Sequence, residues 1–290
     1  MNRVRMARAG FVAVLWSVLL GLAGGCASKV VTPADSPATV DAVTLNLWHD
    51  KQDWPRRQDA IVADLRARGP DVILLQEVLQ DAALPNQAQV LASRLGYQYR
   101  FFSADAPTQA RRYGNAILVR GTIEASREVK LAPLDDYRNA GWVRTTVDGR
   151  PLNVYVTHLH HTPEGGAIRA EQIAGVLTLI GETAGDAPSI IGGDFNARSD
   201  MPELAPLRAR FAEAYSDAHP GVDTNAAVHT TLNPHLGHAP IRIDHVFAQR
   251  DAFRVVDADI ILDQPDATGA WPSDHYGVWV RLMHSDVPRR

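Results

Sequence analysis

The sequence predicts an α/β sandwich built mainly from antiparallel strand pairs, not a parallel doubly wound sheet. Three observations point there. Short apolar runs recur evenly from Val43 to Leu282, with no long Pro/Gly/Ser linker between them. Some of these runs pair through tight turns, as where Trp142 to Val147 and Pro151 to Thr157 flank Asp148-Gly149. Helical spacing appears in only a few interspersed stretches. A chain of 290 residues, 46% of them hydrophobic, can fill the core of one large domain.

Taken in order, Val43, Leu45 and Leu47 alternate with Thr44, Asn46 and Trp48, a period-two strand that turns Asn46 away from its apolar face. Arg56 to Arg68 carries helical spacing through Ile61, Val62 and Leu65 until Gly69-Pro70 stops it. Asp71 to Leu75 reads as a buried strand that becomes polar at Gln76-Glu77, and Asn86 to Leu95 as a helix ended by Gly96. Ala116 to Arg120 is a strand, and Ala167 to Ile180 a helix. Ser189 to Ile191 is a short buried strand running into Gly192-Gly193, and Ile241 to Ala248 and Tyr276 to Leu282 close the pattern.

The first residues differ from the rest. Arg3, Arg5 and Arg8 precede an apolar run from Phe11 to Leu22, too short for a typical spanning helix and followed by Ala23-Gly24-Gly25. This is the layout of a secretory signal peptide. Leu22-Ala23-Gly24-Gly25-Cys26 resembles a bacterial lipoprotein cleavage box, although Ala23 replaces the usual leucine. The expected location is therefore extracytoplasmic, with a lipid anchor at Cys26 and a polar tether behind it. Cys26 is the sole cysteine, so neither an intramolecular disulfide nor a thiolate metal cage is available. Loss of residues 1–25 removes three arginines and no acid, taking the formal charge from −4 to −7. That balance argues against a strong non-specific nucleic-acid binder, though not against a nuclease with a local groove.

Short polar motifs punctuate the strand ends: Thr44-Leu45-Asn46, Gln76-Glu77, Thr157-His158-Leu159, Gly193-Asp194-Phe195-Asn196, Ile243-Asp244-His245 and Ser273-Asp274-His275. Carboxylates, carboxamides and imidazoles at several strand ends can converge on one hard-cation, phosphate-handling site. On an extended segment Asp194 and Asn196 face the same way, a carboxylate base or ligand beside an amide donor; the same pair also suits a helix-capping turn. Asp274 and His275 can share a site only from the turn before Tyr276. Asp244, among apolar neighbours, needs a partner: an imidazole to orient, or a nearby arginine. Glu77 is either a magnesium ligand or a strand-end charge. His158 is either functional or a hydrogen-bonded strand-end histidine. Arg111, Arg112, Tyr113 and Asn115 are candidate substrate contacts, with a solvated loop as the competing reading. With no cysteine partner and no His-Glu-x-x-His pattern, His160 and His161 do not read as zinc ligands. His229, His235 and His238, in a Pro/Asn/Gly-rich loop, read as surface histidines.

In type and order these residues resemble the endonuclease/exonuclease/phosphatase superfamily, the group of DNase I, exonuclease III-type AP endonucleases, bacterial sphingomyelinases and inositol polyphosphate 5-phosphatases. The resemblance runs from about Val43 to Leu282 and is specific for the superfamily, not for a substrate. It implies a four-layer, DNase I-like α/β sandwich of two mainly antiparallel sheets flanked by helices. With the leader and tether read above, the chain divides into a signal peptide of lipoprotein type (1–25), a tether (26–40), a catalytic domain (41–284) and a tail (285–290). Glu77 would be the principal Mg²⁺ ligand, with Asn46 beside it and Asp274 contributing; Mn²⁺ would substitute. Asp194 would align or deprotonate the attacking water and Asn196 would donate to the phosphate. His275, held by Asp244, would act at the scissile phosphate or its nucleophile, and His158 would be the second histidine.

Departures narrow the choice. AP endonucleases typically carry a tyrosine near the position of His158, and the 5-phosphatases an Asp-Arg pair where this chain has Asp244-His245. No long apolar membrane-dipping hairpin and no DNase I-like disulfide are visible in the sequence. The expectation is a lipid-anchored, Mg²⁺-dependent phosphohydrolase, most simply a phosphodiesterase acting on a phosphate ester, with no obligate protein partner. The alternatives are an extracytoplasmic nuclease, a sphingomyelinase or phospholipase C-like enzyme, and a catalytically inactive binding module, which would not need all eight residues. Specificity would reside in the loops Ser103 to Tyr113, Leu131 to Trp142 and His219 to Pro240.

Overall fold

Central strands with apolar residues on both faces must be covered on both, and that requirement sets the architecture. A computed structural model describes residues 38–285; the expected leader, Cys26, the tether up to residue 37 and the tail from 286 lie outside the described residues. One six-stranded sheet has the order β11-β12-β1-β2-β4-β3. Its strands are β1 (Thr39–Asn46), β2 (Val72–Gln80), β3 (Gln98–Ser103), β4 (Arg112–Val119), β11 (Phe253–Ile261) and β12 (Gly277–His284). The second has the order β5-β6-β7-β8-β10-β9. It is made of β5 (Ile123–Lys130), β6 (Asn139–Val147), β7 (Arg150–His158), β8 (Ser189–Asp194), β9 (Phe211–Glu213) and β10 (Asp244–Gln249).

Each sheet contains one parallel pair, β1 with β2 and β7 with β8; the remaining pairings are antiparallel. Helix α1 (Trp54–Arg68) links the first parallel pair and α3 (Gly166–Thr183) the second. Short α2 (Gln87–Leu95), α4 (Ala205–Arg208) and α5 (Ala214–Ala218) fill the remaining connections. The Asn86 side chain caps α2, and left-handed Gly69 and Gly96 end α1 and α2.

Three apolar clusters stack between these layers. Val40, Ala42, Val72 and Leu74 meet Val154, Val156, Ile190 and Val246 between the sheets. Val43, Leu45, Ile73 and Leu75 pack under α1 and α2. Tyr155, Ile191 and Phe247 pack under α3 with Ile173, Val176 and Ile180. The layers are thus helix, sheet, sheet, helix, the expected four-layer sandwich. Among the described residues no helix is long and apolar enough to cross a membrane.

Three sequence expectations need adjustment. Thr39 and Val40 belong to β1, so the sheet begins inside the stretch assigned to the tether. Both faces of β1 are apolar, and Asn46 continues the row of Val40 and Ala42 that faces the other sheet. Strands β3, β5, β9 and β11, all sheet edges, carry no readable pattern: polar side chains break the alternation in β3, β5 and β11, and β9 is only three residues long.

A buried ion pair braces the lower-numbered end of β10. Arg242 Nη1 lies 2.8 Å from Glu213 Oε2, with both side chains sealed from solvent. Burial alone would raise the Glu213 carboxyl, but the hydrogen bond and charge of His245 and the charge of Arg242 hold it well below the carboxylate range. Its stabilisation is therefore present above the ordinary pKa of 4.5 and lost as pH falls below it. Glu213→Gln, which strands a buried guanidinium, is expected to lower unfolding stability by about 3–5 kcal/mol at neutral pH. Urea denaturation checks this; an unchanged midpoint would mean that the pair contributes nothing.

Candidate active site

Strand parity builds the site. On β7, Val154 and Val156 face the other sheet, so His158 does too. The same count carries Ile190 to Asp194 on β8, Val246 back to Asp244 on β10, and Ala42 to Asn46 on β1. Register then aligns the ends, with His158 opposite Asp194 and Asp194 opposite Asp244. The apolar rows between the sheets thus finish in polar residues along one rim. Gly193 allows the strands to close there: at φ 154°, a Cβ would stand 2.0 Å from the Thr157 carbonyl oxygen.

Asp194 is the hub. Its Oδ2 accepts from Asn46 Nδ2 at 3.1 Å and lies 3.4 Å from His158 Nε2 and 3.9 Å from His275 Nε2. Its Oδ1 accepts from the Asn196 backbone N–H at 2.9 Å. His275 Nδ1 lies 2.8 Å from Asp244 Oδ2, so Asp244 orients an imidazole. Arg242 pairs with Glu213 instead. The Thr231 hydroxyl accepts from the Asp244 backbone N–H.

The charges follow from these contacts. Burial, then the neighbouring Asp244 charge, push the Asp194 carboxyl up to about 7. Burial opposes protonation of His275, but the charge and hydrogen bond of Asp244 prevail and raise it to about 10. For His158 the opposing effects prevail: burial, then the charges of Arg138 and His275, drive it well below the ordinary histidine value. The site therefore holds one cationic imidazole, one neutral imidazole and a carboxylate poised near neutrality.

Beside this cluster lies an oxygen-rich region. A bulge in β2 between Leu75 and Val78 puts Glu77 at φ 55°, out of the strand's alternation. Asp274 is raised by burial and, among its neighbours, by the charge of Glu77. Two carboxylates that repel each other, on segments adjoining Asn46 through the Gln76 register and the Ser273 hydroxyl, are a donor set suited to a hard divalent cation. Asp194, Asp244 and His275 also place three donor atoms within 4.8 Å of one another. There the imidazole is held as a cation by Asp244, which suits proton handling better than ligation.

Not every expected residue reaches the rim. Asn196 does not extend β8; it is left-handed at φ 49°, forms an Asx turn on Asp194, and donates its Nδ2 to the Leu159 carbonyl at 3.0 Å. Tyr113 stands beside Glu77, whose charge, after burial, raises the phenol pKa. Arg111 and Tyr113 line a cleft with His49, Glu77 and Tyr137. Arg112 points the other way, its guanidinium 5.1 Å from the Phe101 ring centroid. Asn115 donates to Asn139 Oδ1 at 2.6 Å, a tie between the sheets rather than a free substrate donor.

The structure adds residues that no motif marked. His238, read as a surface histidine, places Nε2 3.5 Å from Asp274 Oδ2. His49 Nε2 is 3.9 Å from Glu77 Oε2. The charge of Arg138 bears on both His158 and Tyr113. His160 is bonded to Asp136 and Thr162, each at 2.9 Å.

Comparison with known proteins agrees with this geometry. A family model described as "Endonuclease/Exonuclease/phosphatase family" matches residues 43–275. Mouse tyrosyl-DNA phosphodiesterase 2 is 25% identical, the match covering 88% of this chain and 69% of that protein. Drosophila melanogaster nocturnin is 25% identical over 78% of this chain and 41% of its own length. The chain spans about half the length of most curated relatives it matches. Among solved structures, an endonuclease/exonuclease/phosphatase family protein from Bacteroides thetaiotaomicron superposes with TM-score 0.71 at 20% identity, covering 87% of this chain and all of that one. D. rerio TDP2 complexed with single strand DNA product gives 0.70 at 21%, covering 84% and 98%. Three strand-end rows meeting at Asp194, the four-layer sandwich and the match over most of its length place this chain in the endonuclease/exonuclease/phosphatase family, as a phosphoester hydrolase.

Proposed function

We propose that this protein is a Mg²⁺-dependent phosphodiesterase. The observation that carries the reading is Asp194, a buried carboxylate poised near neutrality between a neutral His158 and a cationic His275. Phosphodiester hydrolysis needs a base for water and positive charge for the oxygens that become anionic. Asp194 takes the proton from the attacking water at Oδ2. His275, kept protonated by Asp244, stabilises the anionic phosphate oxygens. His158, neutral and able to donate one ring N–H, assists at the leaving oxygen. Glu77, Asp274 and the Asn46 carboxamide would hold the metal, which when bound would lend Lewis-acid stabilisation to the phosphate.

A nucleic-acid phosphodiester is the substrate class favoured by the likeness to a phosphodiesterase named for tyrosyl-DNA and to a TDP2 structure holding single strand DNA product. A phospholipid diester is the competitor, supported by the expected membrane tether. The leader and Cys26 support an extracytoplasmic lipoprotein; acyl labelling that persists in Cys26→Ala would remove that reading.

Bis-p-nitrophenyl phosphate, plasmid DNA, RNA, sphingomyelin and phosphatidylinositol phosphates, each with Mg²⁺ or EDTA, form the test panel. EDTA-sensitive turnover is expected, and metal-independent turnover or none at all overturns the proposal. Asp194→Ala is expected to cut kcat by about 10²- to 10⁴-fold with the fold retained, because the base is gone. Glu77→Gln should raise the Mg²⁺ concentration needed for half-maximal rate; an identical titration would reduce Glu77 to a strand-end charge. In Asp244→Asn, His275 loses the charge that lifts it above 6.5. The alkaline limb of kcat/KM should then move to lower pH. A profile that does not move would show that His275 acts uncharged.

A further inference from the structure

Arg57 belongs to no motif, yet its side chain is 2% exposed. Its guanidinium carbon lies 5.3 Å from the Trp48 ring centroid and 5.1 Å from that of Trp54. Among the described residues no carboxylate is in ion-pair contact with it. All five N–H donors go to backbone carbonyls instead. Nη1 donates to Leu47 at 2.7 Å and Pro272 at 2.9 Å. Nη2 donates to His49 at 2.7 Å and Trp48 at 3.3 Å, and Nε to Lys51 at 2.9 Å.

Those carbonyls belong to two segments. One is the turn that follows Asn46, where Trp48, His49 and Gln52 adopt left-handed φ of 55°, 30° and 56°. Side chains of this size rarely stay there unless the surroundings hold them. The other is the segment that delivers Ser273, Asp274 and His275. From the first segment a continuous path leads to the hub: the Trp48 backbone N–H donates to Asn46 Oδ1 at 2.9 Å, and Asn46 Nδ2 donates to Asp194 Oδ2 at 3.1 Å. Ser273 Oγ closes the loop by donating to the Asn46 carbonyl at 2.7 Å.

We propose that Arg57 is a positioning residue, locking the turn after Asn46 to the segment before Asp274 and so fixing the carboxamide that holds Asp194. Its kinetic consequence rests on the phosphodiesterase reading; the clamp itself does not. A lysine keeps the buried charge but offers a point ammonium in place of a planar fork, and it cannot span five carbonyls.

The test compares wild type, Arg57→Lys, Asn46→Ala and the double variant on bis-p-nitrophenyl phosphate, together with hydrogen exchange at the Trp48 amide. Arg57→Lys is expected to lower kcat by about 10- to 100-fold with little change in KM, as a small misplacement of reacting groups does. In the Asn46→Ala background the same change should cost clearly less than in wild type, because the route through the carboxamide is already cut and only the hold on the Pro272 segment remains. The Trp48 amide should exchange faster in Arg57→Lys while the Tyr155 amide in β7 stays protected. Wild-type kcat in Arg57→Lys, losses that multiply in the double variant, or unchanged Trp48 exchange each overturn the clamp. If Arg57→Lys does not fold, Trp54→Leu uncovers one face of the guanidinium with every donor in place, and the same pattern is expected at smaller size. A wild type silent toward every phosphodiester overturns the proposed function, and Trp48 exchange then decides the clamp alone.

Discussion

The rim is organised around one costly placement, the burial of the Asp194 carboxylate at the end of a central strand. At 2% exposure it cannot rely on water, so partners must come from the protein. They come from three directions because three strands end beside it: β7 brings His158 and β10 brings Asp244 by register, and β1 brings Asn46 from the opposite sheet. A shift of one residue in any of these pairings would turn the partner to the other face. The apolar rows between the sheets thus serve two ends, filling the core and fixing which polar residues terminate it.

The two histidines show how contact alone sets charge. Both are nearly sealed from solvent, and desolvation lowers both. His275 lies 2.8 Å from Asp244, whereas the carboxylate beside His158 is Asp194, 3.4 Å away and itself raised toward neutrality. One carboxylate 2.8 Å away therefore separates a cation from a neutral donor in the same cavity. Thr231 and the sheet hold the Asp244 backbone, and the neighbouring Arg242 is paired with Glu213, so the Asp244 carboxylate is left for His275.

Much of this was legible in the sequence, and the exceptions share a cause. Central strands such as Val72 to Leu75 announce themselves because both faces are buried. The edge strands β5 and β11 alternate too weakly, since one face meets water and like-minded chains must be kept off. Site residues at strand ends were found as short polar motifs behind apolar runs. Arg112 was misjudged because strand alternation sends it opposite to Arg111 and Tyr113. At Asn196 the extended run gives way to a left-handed turn, because β8 stops at Asp194. Arg138 and His238 left no local signal because they act on groups remote in sequence, and Arg57 left none because its partners are backbone carbonyls, which carry no residue identity.

The segment Ser273-Asp274-His275 shows why the site needs a non-strand element. Inside a strand, Asp274 and His275 would face opposite sides of the sheet, and one would be lost to the rim. Ahead of β12 the chain is free of that alternation, and Ser273 pins it by donating to the Asn46 carbonyl and accepting from the His275 backbone N–H. Asp274 then turns toward Glu77 and His238, and His275 toward Asp244 and Asp194. Adjacent residues thereby join the oxygen-rich and proton-handling halves of the rim. Any displacement of this segment moves both halves together, and the Pro272 carbonyl that anchors it is held by the same guanidinium that anchors the turn after Asn46.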